Sequence, residues 1–466
     1  ADEDQAKAQA AAYGASMMTF GKNGQMYMIP GSSFNDMINP VAMLSLPGDK
    51  NWAHKFVANF SGELQLWDAL KFRTSFGYDM GFWGSDGYNY MYYLSPAVKN
   101  DEHTAAWSST NRNSTWQVEN VLTYDKTLGA HSFSVLLGQS ASAYSGANIG
   151  GSRWHLVDIN KPSINYATGL QKDGEMSVYG GPFEPARLAS YFFRASYNYA
   201  ERYMAQVTVR RDGSSRLTRG VRWDWFPSAS LGWRIDKEPF FTVDPQLVSL
   251  LKLRASYGVL GNENIGEYQY MSTMARNNYT YSFGGNKVNG SAIVDFVNQN
   301  IHWEKKKTLD VGFDYAMFGG ALEINADYYN AKSEDLLYGV AVPAEAGVRN
   351  ETVTMNAATM VNSGFELSVS YRNYKNPLKF EVSGNMTLPK NKVPSLGMPD
   401  EPVTSAFNRT EVGGEVGRFY GYVYEGIFQS QEQIDNHVND NGDPVYQAGA
   451  QPGDVAYKDI DLDGQI

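Results

Sequence analysis

The chain has 466 residues, with 39 Lys and Arg against 50 Asp and Glu, a formal net charge of −11, 14% aromatic residues and only 19% charged ones. That balance excludes a disordered chain, which would be poor in aromatics and rich in charge, and it offers phosphate backbones no general attraction. The absence of cysteine removes disulfide scaffolds, thiolate zinc sites and cysteine nucleophiles, and no run approaches the 18 or so apolar residues of a membrane-spanning helix. The start, Ala1-Asp2-Glu3-Asp4, has neither the basic region nor the apolar run of a signal peptide, as in a mature or cut chain.

Along the chain the dominant pattern is alternation. A weak strand is predicted over 56–66. From Leu70 to Phe82 it becomes strict, with Leu70, Phe72, Thr74, Phe76, Tyr78, Met80 and Phe82 on one face and Lys71, Arg73, Ser75, Gly77, Asp79 and Gly81 on the other. Weaker strands follow at 115–124, 131–139, 190–200 and 203–211. Ala229, Leu231, Trp233 and Ile235 then alternate with Ser228, Ser230, Gly232 and Arg234. Leu251, Leu253, Ala255, Tyr257 and Val259 form the next strand, and Leu309, Val311, Phe313, Tyr315 and Met317 the one after. The last are 320–329, Phe365 to Tyr371, and 378–388, about twelve strands in all.

Short joins at 67–69, 125–130, 201–202, 318–319 and 373–377 mostly take turns with long ones at 83–114, 140–189, 212–226, 260–307 and 330–363; 236–249 is intermediate. Soluble domains rarely carry several long structureless connections, whereas outer-membrane β-barrels join tilted strands by short periplasmic turns and long extracellular loops. The expected fold is therefore all-β, a transmembrane antiparallel β-barrel. The alternative is a soluble sandwich or propeller with one wet face, whose strands would be nearer five or six residues. Aromatics at strand ends, such as Trp67, Trp116, Tyr203 and Phe318, suit interfacial girdles and equally an ordinary core rim.

An ordered series of short motifs then appears: Arg210-Arg211-Asp212-Gly213-Ser214-Ser215-Arg216, Phe226-Pro227-Ser228 through Trp233-Arg234, Leu253-Arg254-Ala255-Ser256-Tyr257-Gly258 and Gly261-Asn262. Trp303-Glu304-Lys305, Asp310-Val311-Gly312-Phe313-Asp314, Asn362-Ser363-Gly364-Phe365-Glu366, Gly417-Arg418-Phe419-Tyr420-Gly421-Tyr422 and Pro452-Gly453-Asp454 continue it. Over roughly 210–466 this series closely resembles the barrel of SusC/RagA-like TonB-dependent outer-membrane transporters. The resemblance implies a 22-stranded barrel with an N-terminal plug, energy from the TonB-ExbB-ExbD complex, a SusD-like surface lipoprotein as partner, and uptake of glycans or, in some members, peptides. No plug or TonB box is recognisable here, so residues 1–466 are expected to be part of one barrel, with 389–466 a long extracellular loop region. The expected activity is active import of oligosaccharides across the outer membrane; the alternatives are peptide import and a non-transporting adhesin or structural barrel.

Three sets of residues are candidates for chemistry. Asp459, Asp461 and Asp463, followed by Gly464, stand at the spacing that opens a calcium loop, although the acid expected at its twelfth position lies past Ile466; the other reading is an acidic surface turn. Tyr88, Tyr90, Trp107, Trp154, Tyr268, Tyr270, Tyr279 and Tyr281 lie in predicted loops, where flat rings stack on sugar faces, pack the loops together or dock the lipoprotein. Charges on the polar strand faces, among them Lys71, Arg73, Asp79, Arg210, Arg254, Asp310, Asp314 and Glu366, pair with one another or line a wet path. No enzyme is expected, because the six His are scattered, Gly21-Lys22 is no phosphate loop, and no nucleophile is positioned. No organic cofactor is expected.

Overall fold

The computed structural model describes residues 18–20, 26–28, 43–44, 46–93, 99–100, 102–374, 377–397 and 400–466. It is built from twelve long strands: β1 (Lys50–Trp67), β2 (Leu70–Asn89), β3 (Ala105–Leu128), β4 (His131–Trp154), β5 (Met176–Tyr199), β6 (Tyr203–Ser214), β7 (Trp223–Arg234), β8 (Val248–Asn262), β9 (Glu304–Met317), β10 (Leu322–Ala341), β11 (Thr352–Asn373) and β12 (Phe380–Ser395). They fall into two compact units, Ala1–Ala229 with Glu263–His302, and Ser230–Asn262 with Trp303–Ile466. In the first, β1 to β6 each pair antiparallel with the next. In the second, β8 to β12 do the same.

Each strand lies where alternation placed one, but most run further. β3, β4 and β5 have 24 residues each, about 80 Å at roughly 3.4 Å per residue, while about ten tilted residues cross a bilayer. The connections expected at 83–114, 140–189, 212–226, 260–307 and 330–363 therefore shrink to 90–104, 155–175, 215–222, 263–303 and 342–351. Alternation is visible only where one face meets hydrocarbon. Past that band both faces are wet, the pattern fades, and backbone pairing continues without a sequence signature. The region expected as loop from 389 likewise begins later, because β12 continues to Ser395.

Burial separates the barrel from the soluble alternative. In a sandwich the apolar face would be covered; here Leu231 is 65% and Phe60 67% exposed, and Leu253, Val311 and Phe313 are exposed as well. On β7 the polar residues Asp224, Ser228, Ser230 and Arg234 are the more buried set. In each unit an exposed apolar strand face of this kind suits hydrocarbon rather than water.

Several glycines face aromatic residues across the strands. Gly84 stands directly opposite Trp52, Gly87 opposite Trp107, Gly138 opposite Phe192, and Gly150 opposite Tyr179. In each pair the ring lies across the glycine, where a Cβ would come within 2.1 to 2.6 Å of it. The ring thereby covers backbone that a bare glycine would leave exposed.

The intermediate connection, 235–247, is held by its acids. Arg234 Nε donates to Asp236 at 3.0 Å, the Leu251 N–H reaches the same carboxylate at 3.1 Å, and Trp233 Nε1 donates to Glu238 at 2.8 Å. Residues beyond β12 form short paired segments, including Tyr424–Ile427 with Val455–Tyr457, and a single helical turn, Gln431–Asp435, capped by the Ser430 hydroxyl.

Candidate functional site

The motif from Arg210 to Arg216 is divided by strand alternation. Arg210 and Asp212 share the inner face of β6, and Arg210 Nε donates to Asp212 at 2.7 Å while its Nη2 reaches the buried Ser190 hydroxyl at 2.8 Å. At the end of the strand the Ser214 hydroxyl donates to Glu263, and just past it Arg216 Nε donates to Glu267 at 2.6 Å while Arg216 Nη1 lies 3.8 Å from Glu263. Thr218 Oγ1 donates to the Gln299 carbonyl at 2.7 Å, beside fully buried Leu217 and Ile301. Both ends of the 263–303 connection are thus tied to the segment after β6. Burial, above all, pushes the Glu263 carboxyl up to about 7, with Glu267 and Asp212 adding to the rise against the pull of Arg216. Glu263 and Glu267 were not legible as functional in sequence; the only signal is their position just after Gly261-Asn262.

Of the charges expected on the inner strand faces, Lys71, Asp79, Arg210, Arg254, Asp310 and Asp314 take part in ion pairs. Arg254 on β8 reaches three carboxylates: Asp314 at 3.0 Å, Asp310 at 3.8 Å and Asp327 at 2.7 Å. Asp327 stands on β10, one strand beyond, and the link crosses Gly312, which faces Arg254 on one side and Asp327 on the other. Lys71 pairs with Glu63 at 3.6 Å and Asp79 with Lys55 at 2.7 Å. Arg372 pairs with Glu323 at 2.9 Å and Glu381 at 3.1 Å.

The predicted aromatics do not form one cluster. Tyr88 and Trp107 line a cleft of about 450 Å³ together with Lys50, Asp86, Ser108 and Asn165. Trp107 Nε1 donates to Asp49 at 2.8 Å, and the Ser108 hydroxyl to Asp86 at 2.6 Å. Tyr90 is buried, edge-on to Tyr92 at 6.3 Å, so it packs a loop and is not a surface for substrate. Trp154 is stacked on His103 at 3.7 Å. Tyr268 donates to the Pro185 carbonyl at 3.1 Å and sits 6.2 Å from Tyr270, so this pair too braces the loops. Tyr281 is exposed on the hairpin Met274–Phe283 and Asn286–Ile293. The side chain of Tyr279 lies outside the described residues.

Carboxylate oxygens of Asp459, Asp461 and Asp463 lie within 4.8 Å of one another, with Asp459 buried and the other two exposed. Asp459 accepts from Asn439 Nδ2 at 3.0 Å and from the N–H groups of Gly464 at 2.9 Å and Leu462 at 2.8 Å. The Asn439 bond foremost, with those N–H groups, holds its carboxyl below the usual range. Gly464 takes the left-handed conformation, φ 81°, that the sequence spacing required of it. All-oxygen donors of this kind suit a hard cation such as calcium.

Residues 20–448 match the family described as TonB dependent receptor-like, beta-barrel. TonB-dependent receptor P3 of Formosa agariphila is 31% identical over 449 residues, 93% of this chain and 42% of that protein. TonB-dependent receptor SusC of Bacteroides thetaiotaomicron is 28% identical over 458 residues, 90% of this chain and 42% of that protein. Among solved structures, the RagAB peptide importer in its closed-closed state has the same fold, with a TM-score of 0.77 at 20% identity over 96% of this chain and 48% of that one. The chain spans less than half the length of these relatives. An outward apolar face, long antiparallel walls and a match over most of its length agree: the chain belongs to the TonB-dependent receptor β-barrel family.

Proposed function

We propose that this chain supplies barrel wall and extracellular loops to a transporter that imports oligosaccharides across the outer membrane. Energy reaches it from the TonB-ExbB-ExbD complex, and a SusD-like lipoprotein captures substrate outside. The observation that carries the glycan reading is the cleft of Tyr88 and Trp107. It combines ring faces suited to sugar stacking with the hydrogen-bonding groups of Asp86, Ser108 and Asn165 in about 450 Å³, within the usual size of a small-molecule site. The role is transport, not catalysis. The Asp459, Asp461 and Asp463 turn adds a calcium ion with a structural role, supported by the convergence of its carboxylates.

Deletion of the gene, followed by growth on a panel of polysaccharides and peptides, tests the reading. Loss of growth on one glycan, partly reproduced by Trp107→Ala, is the expected result. Loss confined to peptides would replace glycan by peptide, the substrate named for the RagAB importer. No loss of growth on any source, together with a loss of adhesion, would return the adhesin alternative.

A further inference from the structure

β6 carries a second device on its outward face. Alternation turns Arg211 away from Arg210 and Asp212, onto the face of Val207 and Val209. There its guanidinium lies over two indole rings, Trp223 at 5.3 Å and Trp225 at 5.2 Å, and Trp223 is stacked on Tyr191 at 6.0 Å. Gly213, next on this face, leaves the space for Trp223; a Cβ there would meet the ring at 2.5 Å. Despite the excess of acids in the chain, no carboxylate among the described residues pairs with Arg211.

Its height is informative. β6 leaves its short turn at Tyr203 and Arg211 follows eight residues later, a rise of roughly 21 Å at about 3.4 Å per residue and about 40° of tilt. The apolar band is about 25 Å tall, so Arg211 stands near its outer rim. Next to it, Leu137, Tyr191, Phe193, Val209 and Trp225 line a depression of about 390 Å³, and Leu137, Tyr191 and Trp225 are each more than half exposed. A cation at headgroup height beside an apolar groove has the charge layout of an anionic lipid. An arginine facing a bilayer without a counter-charge is costly, its donor fork matches phosphate oxygens, and ring contacts occupy none of its N–H donors.

We propose that this surface binds one phosphorylated lipid of the outer leaflet, its phosphate on Arg211 and an acyl chain in the depression between Leu137, Phe193 and Trp225. The site rests on the outer-membrane reading above. Native mass spectrometry of the full-length protein in detergent, titrated with doubly phosphorylated lipid A and with the same lipid after dephosphorylation, tests it. Wild type should bind the phosphorylated lipid more tightly, Arg211→Gln should weaken that binding about fivefold and leave the dephosphorylated lipid unchanged, and Arg211→Lys should retain the preference for phosphate. Trp225→Ala should weaken both lipids. Equal binding of phosphorylated lipid by wild type and Arg211→Gln, both recovered from the outer-membrane fraction, overturns the lipid site alone. Absence of wild type from that fraction overturns the membrane reading and the site with it.

Discussion

Gly312 offers a sharp test of how the inner face of the wall is held. A Cβ at this position would lie 2.0 Å from Asp327 Oδ1 and 2.8 Å from the Ala326 carbonyl oxygen. Gly312→Ala therefore forces Asp327 to turn away and breaks its 2.7 Å bond to Arg254 Nη2. A hydrogen bond between charged groups contributes about 1.5–3 kcal/mol, and the lower end applies because Arg254 is about a third exposed. Crowding against the backbone oxygen adds about 1 kcal/mol. The expected loss is about 2–3 kcal/mol, read as a shift in the urea midpoint of protein folded into lipid vesicles, with tryptophan fluorescence as the probe. In an Asp327→Ala background the ion pair is already gone, so Gly312→Ala should then cost only about 1 kcal/mol. Equal losses in the two backgrounds would refute the claim that the glycine is there to let the arginine and aspartate meet across β9.

Leu231→Arg and Phe313→Arg, on the exposed apolar face, should each destabilise the barrel by about 2–4 kcal/mol near the midplane, and Ser230→Arg on the opposite face far less; equal effects would count against the membrane-facing assignment. The Glu263 carboxyl ionises near 7 in the folded protein against an ordinary 4.5, so folding favours its protonated form and the docking of the 263–303 connection is strongest at and below about 4.5, weakening as pH rises through 7. Hydrogen exchange in 263–303, corrected for intrinsic rates, should therefore be faster at pH 8.5 than at pH 5.5, with the difference lost in Glu263→Gln; a wild type indifferent to pH refutes this. Calcium titrated calorimetrically into the full-length protein should show a saturable site that disappears in Asp461→Ala, and identical isotherms would remove the metal.

The membrane-crossing parts of the strands were legible because a bilayer imposes a two-residue period, and Leu70 to Phe82 displays it in full. Their extensions were not. Between 83 and 114 the residues Trp83, Gly87 and Trp107 show no period, yet they pair in register, because the ladder is made of backbone and each glycine makes room for the ring opposite it. The candidate aromatics divide for the same reason. Composition places Tyr88, Tyr90 and Trp107 alike in a loop, whereas tertiary packing buries Tyr90 and leaves Tyr88 and Trp107 lining a cleft.

The motif at Arg210–Arg216 marks where sequence stops and structure begins. Its residue order and the period of two already assign Arg210 and Asp212 to one face and Arg211 to the other. Only the folded chain brings Ser190, Glu263 and Glu267 to the inner side and Trp223 and Trp225 to the outer. Local covalent geometry decides which way a side chain points; what it meets depends on residues about a dozen to about fifty positions away, whose approach is set by strand register and by the closure of a long loop.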